Sequence, residues 1–230
     1  MPPRKITANQ ENQTARPAPI PLSFTSAFRK ARRHLGQCDP LLAQLLKHVG
    51  PCTLQPGAEA FPALVRAIIA QMISTKAAKA IGARVEAALL PHSLTPAAVV
   101  AASEETLRGA GLSRAKALAL KDLAERTMSG KLPIDRLAEL SDEEVIDCLA
   151  AVRGIGRWTA EMFLIFSLGR LDVLPVDDFG LRAAVRDVYQ LPDLPNRASL
   201  RQRAEPWRPY RSIATWYFWR SRGWVPQSKE

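Results

Sequence analysis

A glycine-rich turn and a pair of adjacent aspartates are the parts of this chain best suited to chemistry. The turn reads VRGIG over residues 152–156, and the pair is Asp177 and Asp178. Glycine adopts backbone conformations that other residues avoid, and the first N–H groups of a helix after such a turn can bind a phosphate. A carboxylate at the head of a later helix can face a sugar. The combination predicts an enzyme that cleaves a bond within a nucleotide.

Helices are expected on both sides of the turn. Ser141 and Glu144 form a capping box that begins the first helix, and the second is expected from about Arg157 to Ser167. The side chains of Arg157 and Thr159 can add contacts to the same phosphate. An ordinary corner between two packed helices would explain the glycines equally well on this pattern alone.

A third helix is expected from Phe179, because Leu181 and Val185 are apolar at helical spacing. An aspartate at its N-terminus lies at the positive end of the helix dipole, which favours the ionised carboxylate by about 0.3–1 kcal/mol. A charged carboxylate can stabilise a cationic transition state or accept a proton from water. Asp177 and Asp178 are both candidates for the N-cap, and the pattern does not choose between them.

The order of these motifs resembles the helix-hairpin-helix DNA glycosylases. Within that superfamily, GIGRWTA followed by LPVDDFGLR is most similar to the 3-methyladenine DNA glycosylase II, or alkylpurine, branch. The similarity includes RAIIAQMISTKAA (66–78), GLSRAKALAL (111–120) and WRPYRSIATWYFWRSRGW (207–224), and it covers about residues 40–225. It implies an all-α fold of two helical lobes with a DNA-binding cleft between them. It also assigns the catalytic role to the second aspartate, Asp178.

One position separates the branches of this superfamily. Bifunctional members carry a lysine directly after GxGR, and its amine attacks the sugar to form a Schiff base. This chain has Trp158 there, so the resemblance implies a monofunctional enzyme that uses water and has no lyase activity. Members with an iron–sulfur cluster carry four closely spaced cysteines near the C-terminus, whereas Cys38, Cys52 and Cys148 are scattered. We expect no such cluster and no required cofactor.

The resemblance further implies a base pocket lined by Trp158 and Trp219, to which Phe179 and Met162 would add apolar walls. An indole face attracts a cation by about 0.5–2 kcal/mol, and a purine alkylated at N3 or N7 is positively charged. We therefore expect hydrolytic excision of cationic purines such as 3-methyladenine from double-stranded DNA, with Asp178 stabilising an oxocarbenium-like sugar. A place in the core is the alternative for the aromatic residues.

Further contacts are expected around the hairpin. DNA would bind Gly154, Ile155, Gly156, Arg157 and Thr159. Arg211 is a further candidate from the basic C-terminal segment, and Leu112 is the candidate for the side chain that fills the gap left by a flipped base. The resemblance also implies that a Na⁺ or K⁺ ion can bind the backbone carbonyls of Ala150, Val152 and Ile155.

Upstream of the turn, apolar residues at helical spacing predict a helix. Its buried face would consist of Phe61, Leu64, Val65, Ile68, Ile69 and Met72. Gln71 and Ser74 are candidates for DNA contacts, caps and core positions alike. Ser113 is expected to cap a later helix that runs through Leu123.

Composition agrees with a nucleic-acid partner. Lysine and arginine number 32 against 22 acidic residues, which gives a net charge of +10, and residues 196–230 hold eight basic and two acidic residues. Each phosphate that is neutralised should change the slope of log K against log salt by about −0.9. An RNA-binding or ribosome-associated protein would suit the same balance.

The chain is expected to divide into a disordered tail (1–22), an N-terminal helical segment that packs with the C-terminal lobe (23–58), a helical lobe ending in the hairpin (59–167) and the C-terminal lobe (168–230). The β-rich domain that precedes this core in the best-known member is expected to be missing or vestigial. No apolar run approaches the length of a membrane span, and scattered cysteines indicate a reducing compartment. We expect an intracellular monomer located with DNA, in the cytoplasm and nucleoid or in a nucleus.

Two other functions compete with this interpretation. A non-catalytic helix-hairpin-helix DNA-binding protein would need neither a carboxylate at Asp178 nor an aromatic residue at Trp158. A glycosylase for oxidised bases is disfavoured by Trp158 in the lysine position.

Overall fold

The computed structural model describes residues 22–221 and 223–226, and this part of the chain is helical and contains no strand. Its α-helices are α1 (Leu22–Cys38), α2 (Pro40–Val49), α3 (Ala60–Ala70), α4 (Thr75–Ala88), α5 (Pro96–Ala101), α6 (Glu104–Gly109), α7 (Arg114–Met128), α8 (Asp142–Ala150), α9 (Arg157–Phe166), α10 (Phe179–Val188), α11 (Arg197–Ala204) and α12 (Arg211–Ser221). Short 3₁₀ helices cover Ile134–Glu139 and Glu205–Trp207. The predicted all-α class is confirmed. The predicted tail lies outside the described residues, apart from Leu22.

Polar N-caps begin many of these helices, as the sequence predicts. The Ser141 hydroxyl accepts the backbone N–H of Glu144, and the Glu144 carboxylate accepts the backbone N–H of Ser141, so the capping box is present. The side chains of Thr95, Ser103 and Ser113 cap α5, α6 and α7 in the same way. Each such cap contributes about 1 kcal/mol to the stability of its helix.

The helices pack in two groups along the chain. Helix α3 packs against α4, α7 and α9, and α8 packs against α9. Helices α1 and α2 pack against α12, which also packs against α10, so the N-terminal helices contact the C-terminal ones. Helices α3 to α9 extend from Ala60 to Phe166, within the segment 59–167. The division into lobes with a cleft between them stays a prediction.

Helix α12 is deeply buried. Every residue from Ser212 to Phe218 is buried, whereas Trp219 near the C-terminal end of the helix is half-buried. Burying a large apolar side chain contributes roughly 1.5–3 kcal/mol, so residues such as Phe218 hold α12 firmly in place. The buried part of α12 therefore fixes the position of Trp219.

No helix in the described part of the chain has both the length and the apolar character that crossing a membrane requires.

Candidate active site

The Asp178 carboxylate is the N-cap of α10 and accepts three N–H groups. The backbone N–H of Leu181 and the indole Nε1–H of Trp219 donate to Oδ1, at 2.6 and 2.8 Å. The indole Nε1–H of Trp158 donates to Oδ2 at 2.8 Å. Since each carboxylate oxygen can accept about two hydrogen bonds, Oδ2 is the less occupied oxygen. The side chain is held by both of the indoles that the resemblance predicts for a base pocket.

The neighbouring Asp177 faces a different partner. Its carboxylate forms a surface ion pair with the guanidinium of Arg197. Asp177 therefore does not cap α10, and the ambiguity between the two aspartates is resolved in favour of Asp178.

Aromatic rings surround the carboxylate on three elements. Trp158 is 44% exposed on α9, and Phe179 is 68% exposed at the start of α10. Trp219 stacks on Phe166, with ring centroids 5.6 Å apart and planes inclined by 15°. The sequence analysis missed Phe166, although an apolar residue about two turns after Trp158 on the same helix was a signal for it.

A cavity of about 510 Å³ is lined in part by Trp158. Its walls include Met162 and Thr159 of α9, Gly154 of the hairpin and Met72 after α3. Trp158 thus contacts both the cavity and the carboxylate, whereas Asp178 does not line the cavity. The predicted pocket residues therefore belong to two places. Met162 lines the cavity, Trp219 binds Asp178, and Trp158 does both.

The hairpin between α8 and α9 depends on its glycines. Gly154 has a φ of +76°, and a Cβ added there would lie 3.4 Å from the Cβ of Ala119. Gly156 is the N-cap of α9 and supplies no side-chain cap, while Ile155 is buried between them. The N–H groups of the first turn of α9 are thus available to an anion.

Two side chains expected at a phosphate are engaged within the protein. Arg157 donates to the Glu143 carboxylate at 2.9 Å and lies 3.3 Å from the carboxylate of Glu161. Thr159 is buried, and its hydroxyl oxygen lies 3.5 Å from the amide nitrogen of Gln71. Since these groups already have protein partners, the structure favours the hairpin backbone over these side chains as the anion-binding element.

Burial and pairing disfavour two further predicted DNA contacts, Arg211 and Leu112. The Arg211 guanidinium donates to both carboxylate oxygens of Asp172, at 2.7 and 2.9 Å, and its side chain is only 16% exposed. Leu112 is 5% exposed in the hydrophobic core, so it cannot enter DNA from this position. The ion pair with Asp172 and the hydrophobic core, respectively, keep Arg211 and Leu112 largely away from the surface.

Met72 is the residue that the sequence analysis misplaced most clearly. Its spacing assigned it to the buried face of α3, but α3 ends at Ala70 and Met72 is fully exposed. Its φ of +57° is unusual for a residue other than glycine. The turn therefore presents a large, flexible apolar side chain at the edge of the cavity beside Trp158.

Glu161 is a buried acid on α9. Burial raises the pKa of its carboxyl to about 7, while the positive charge of Arg157 opposes the shift and the negative charges of Asp177 and Glu143 add to it. The group is 4% exposed and does not contact Asp178 through any hydrogen bond of the site. Glu161 is therefore one of the buried residues of α9 and is not part of the Asp178 site.

Comparisons with known proteins identify the family and relatives of this chain. A model of the HhH-GPD superfamily base excision DNA repair proteins matches residues 65–209. The DNA-3-methyladenine glycosylase 1 of Schizosaccharomyces pombe is 37% identical over 203 residues, which cover 86% of this chain and 89% of that protein. The alkylbase DNA glycosidase-like protein mag2 of the same organism is 33% identical, with 86% and 95% covered.

A solved structure of the S. pombe 3-methyladenine DNA glycosylase in complex with abasic DNA has the same fold. It matches with a TM-score of 0.75 and 36% identity, and the match covers 84% of this chain and 96% of that one. This chain belongs to the HhH-GPD superfamily of base excision DNA repair proteins. The resemblance found in the sequence is therefore confirmed.

Proposed function

We propose that this protein is a monofunctional DNA glycosylase that hydrolytically excises alkylated, cationic purines such as 3-methyladenine from double-stranded DNA in base excision repair. The observation that carries this proposal is the Asp178 carboxylate, held at the N-terminus of α10 between the indole N–H groups of Trp158 and Trp219. The names of the two S. pombe relatives, an alkylbase and a 3-methyladenine glycosylase, support the same substrate class. We expect it to act as a monomer wherever the cell keeps its DNA.

The proposed reaction breaks the bond between the sugar C1′ and the base nitrogen. An alkylated purine leaves as a neutral base, so the protein does not have to protonate it. Positive charge develops on the sugar as the bond breaks, and the fixed negative charge of Asp178 stabilises it. Oδ2 accepts only the Trp158 indole, so this oxygen is the one we assign to the sugar cation or to the attacking water.

The aromatic rings recognise the purine by stacking and by its charge, without hydrogen bonds to the edge of the base. Because the N–H edges of Trp158 and Trp219 bind the carboxylate, the planes of both indoles are held in place. Phe166 supports Trp219 from behind by stacking. A cationic purine against an indole face gains about 0.5–2 kcal/mol, so the site selects positive charge and tolerates different alkylated purines.

Trp158 also accounts for the proposed lack of lyase activity. Schiff-base chemistry needs an amine beside the sugar, and the side chain after Arg157 is an indole that donates to Asp178. Water is then the nucleophile. The products are a free base and a continuous strand with an abasic site.

DNA binding is assigned to the hairpin and to Met72. The uncapped N–H groups at the start of α9 bind a phosphate, and the Gly154 and Gly156 turn gives the backbone room to approach it. Met72, rather than Leu112, fills the gap that a flipped base leaves, because Met72 is exposed at the edge of the cavity beside Trp158. Flipping costs a few kcal/mol, and a side chain in the gap offsets part of that cost.

A Na⁺ or K⁺ ion at the hairpin remains part of the proposal. Of the three expected ligands, the Val152 carbonyl accepts the N–H of Ile155 at 3.1 Å and keeps capacity for one further partner. Ala150 is the last residue of α8, where carbonyls lack intrahelical donors. The donor set fits a monovalent cation, which would add positive charge beneath the bound phosphate.

The decisive experiment is incubation with duplex DNA that carries alkylated purines, alongside a duplex that contains an oxidised guanine, followed by chromatography of released bases. We expect 3-methyladenine to be released and the strand to break only after alkali. Release of oxidised guanine alone would favour the oxidised-base alternative. DNA binding without any base release would favour the non-catalytic alternative.

Substitution of the two aspartates tests the site assignment. Asp178→Asn keeps an N-cap for α10 but removes the charge, and we expect release to fall by about 100-fold or more. Asp177→Asn is the matched control, because it removes the adjacent charge and its ion pair with Arg197 at the surface, and it should remain close to wild type. The opposite result would show that the wrong aspartate has been chosen.

A further inference from the structure

The turn that presents Met72 is strained. Met72 and Gln190 are the two non-glycine residues in the described part of the chain with positive φ. This conformation is unfavourable for a residue with a side chain. Such a residue keeps its conformation only where the surrounding structure holds it, so the contacts on either side of the Met72 turn decide where its side chain points.

Lys116 of α7 holds the turn from one side. Its ammonium donates to the carbonyl of Ile69 at 2.7 Å and to the carbonyl of Gln71 at 2.8 Å, at the C-terminal end of α3. The C-terminus of a helix carries partial negative charge, so a cation there is favourable. Burial lowers the pKa of Lys116. The two hydrogen bonds of Lys116 lie at the end of α3 and directly before Met72, where the backbone turns the Met72 side chain outward.

Gln71 holds the turn from the other side. Its side-chain amide donates to the carbonyl of Gly154 at 2.9 Å, in the hairpin that we assign to phosphate binding. The residue before Met72 is therefore linked to the hairpin, and its own carbonyl is linked to α7. The phosphate-binding backbone and the exposed Met72 side chain are parts of one hydrogen-bonded unit.

We infer that Lys116 is a positioning residue for base flipping, which holds the Met72 side chain at a set distance from the DNA phosphate bound by the hairpin. The inference rests on the proposed function and deepens it. In the described part of the chain, Lys116 bonds to the carbonyls of Ile69 and Gln71 and not to Asp178, and it does not line the cavity beside Trp158. It acts through the Met72 turn, so its loss should matter only for substrates whose base must be pulled out of an intact stack.

The test compares two lysines of α7 that make similar bonds. Lys121 donates to the carbonyls of Val100 and Ala102 at the C-terminal end of α5, as Lys116 does at α3. Lys116→Met and Lys121→Met each remove an ammonium from two carbonyls while keeping most of the aliphatic chain. Excision of the same alkylated purine is measured from a fully paired duplex and from a single strand, where extrusion costs least. Thermal melting of each variant records its stability.

For Lys116→Met we expect excision from the duplex to fall about tenfold, because small displacements of positioning groups have large effects on rate. Excision from the single strand should stay near wild type. Lys121→Met should lower the melting temperature similarly and leave the ratio of duplex to single-strand excision unchanged. Lys116→Gln removes the ammonium but keeps a polar side chain, so it should lower the ratio in the same direction and takes the place of Lys116→Met if that variant does not fold.

Equal losses on both substrates for Lys116→Met, or the same change of ratio in Lys121→Met, would overturn the inference and leave the proposed function intact. An unchanged ratio in both Lys116 variants would also overturn it. Absence of base release by the wild-type protein from either substrate would instead overturn the proposed function, and the inference with it.

Discussion

The hairpin at residues 152–156 and the Asp178 site are joined by the first turn of α9, yet they use different parts of the chain. At the hairpin, the groups that we assign to the phosphate are the uncapped N–H groups at the start of α9, and the nearby side chains of Arg157 and Thr159 have partners within the protein. At the Asp178 site, the working groups are side chains from α9, α10 and α12.

This difference separates two ways of building a site. The hairpin needs only a short continuous segment, because Gly154 adopts the positive φ of the turn and Gly156 begins α9 without a side-chain cap. The carboxylate site needs three helices to be packed correctly before Trp158 and Trp219 can reach one aspartate. Substitutions at the hairpin should therefore act mainly on DNA binding, and substitutions around the carboxylate mainly on the chemical step.

After Asp178→Asn, the largest effect is expected for Trp219→Phe, which keeps a ring to stack on Phe166 but removes the N–H that binds Asp178. A hydrogen bond to a charged group is worth about 1.5–3 kcal/mol, so kcat should fall about tenfold or more with little change in KM. Trp216→Phe is the control on the same helix, because Trp216 is buried and has no bond to Asp178. A fall in both variants, or a change confined to KM, would contradict the assigned role of the indole N–H.

The next effect is expected for Gly154→Ala at the hairpin. A side chain at positive φ costs about 1–2 kcal/mol, and here the added Cβ would also contact the Ala119 side chain at 3.4 Å. Affinity for abasic duplex DNA should fall several-fold, while kcat at saturating DNA stays close to wild type. Gly130→Ala is the matched control, since Gly130 also has positive φ but a Cβ there meets nothing within 4 Å. Equal loss of DNA affinity in both variants would show that the effect is general destabilisation.

Salt dependence should distinguish Arg153 from Arg211. Arg153 is exposed on the hairpin, whereas Arg211 is paired with Asp172. If Arg153 neutralises a phosphate, Arg153→Met should reduce the magnitude of the slope of log K against log salt by about 0.9. Arg211→Met should lower the melting temperature and leave the slope unchanged, which is checked by titrating DNA at several salt concentrations. A change of slope for Arg211→Met would restore our original assignment of that residue.

The smallest effect is expected for the pH dependence of stability at Glu161. Its pKa of about 7 in the folded protein lies above the ordinary glutamate value of 4.5, so the folded state binds more protons between these values. The stability contribution of this group is therefore complete below about pH 4.5 and is lost as the pH rises through about 7. Glu161→Gln should melt higher relative to wild type at pH 8 than at pH 5, as followed by circular dichroism. A difference independent of pH would show that the buried acid does not titrate in this range.

Much of the local structure followed from the sequence, and the reason is physical. The Ser141–Glu144 capping box acts within one helical turn, and the hairpin before α9 requires only the positive φ that Gly154 adopts. The helix beginning at Phe179 was predicted from spacing alone. Family resemblance then added Asp178 and the paired indoles, whose proximity no local pattern reveals.

The misplaced residues share a different cause. Met72 continues the apolar spacing of α3, but the helix ends two residues earlier under the influence of Lys116 and Gln71. Arg211 lies in a basic segment, yet Asp172 from another part of the chain neutralises it. The residues next to Met72 and Arg211 in the sequence do not reveal whether the folded protein will expose, bury or pair these side chains.

By itself the sequence determined the helices, their caps and the glycine hairpin, because these depend on interactions between residues close together in the chain. Only the tertiary structure decided that two indoles bind Asp178 while Asp177 pairs with Arg197, and that Leu112 faces inward while Met72 faces out. Those outcomes arise from packing and pairing between distant segments, where each side chain takes whichever partner the folded helices bring within reach.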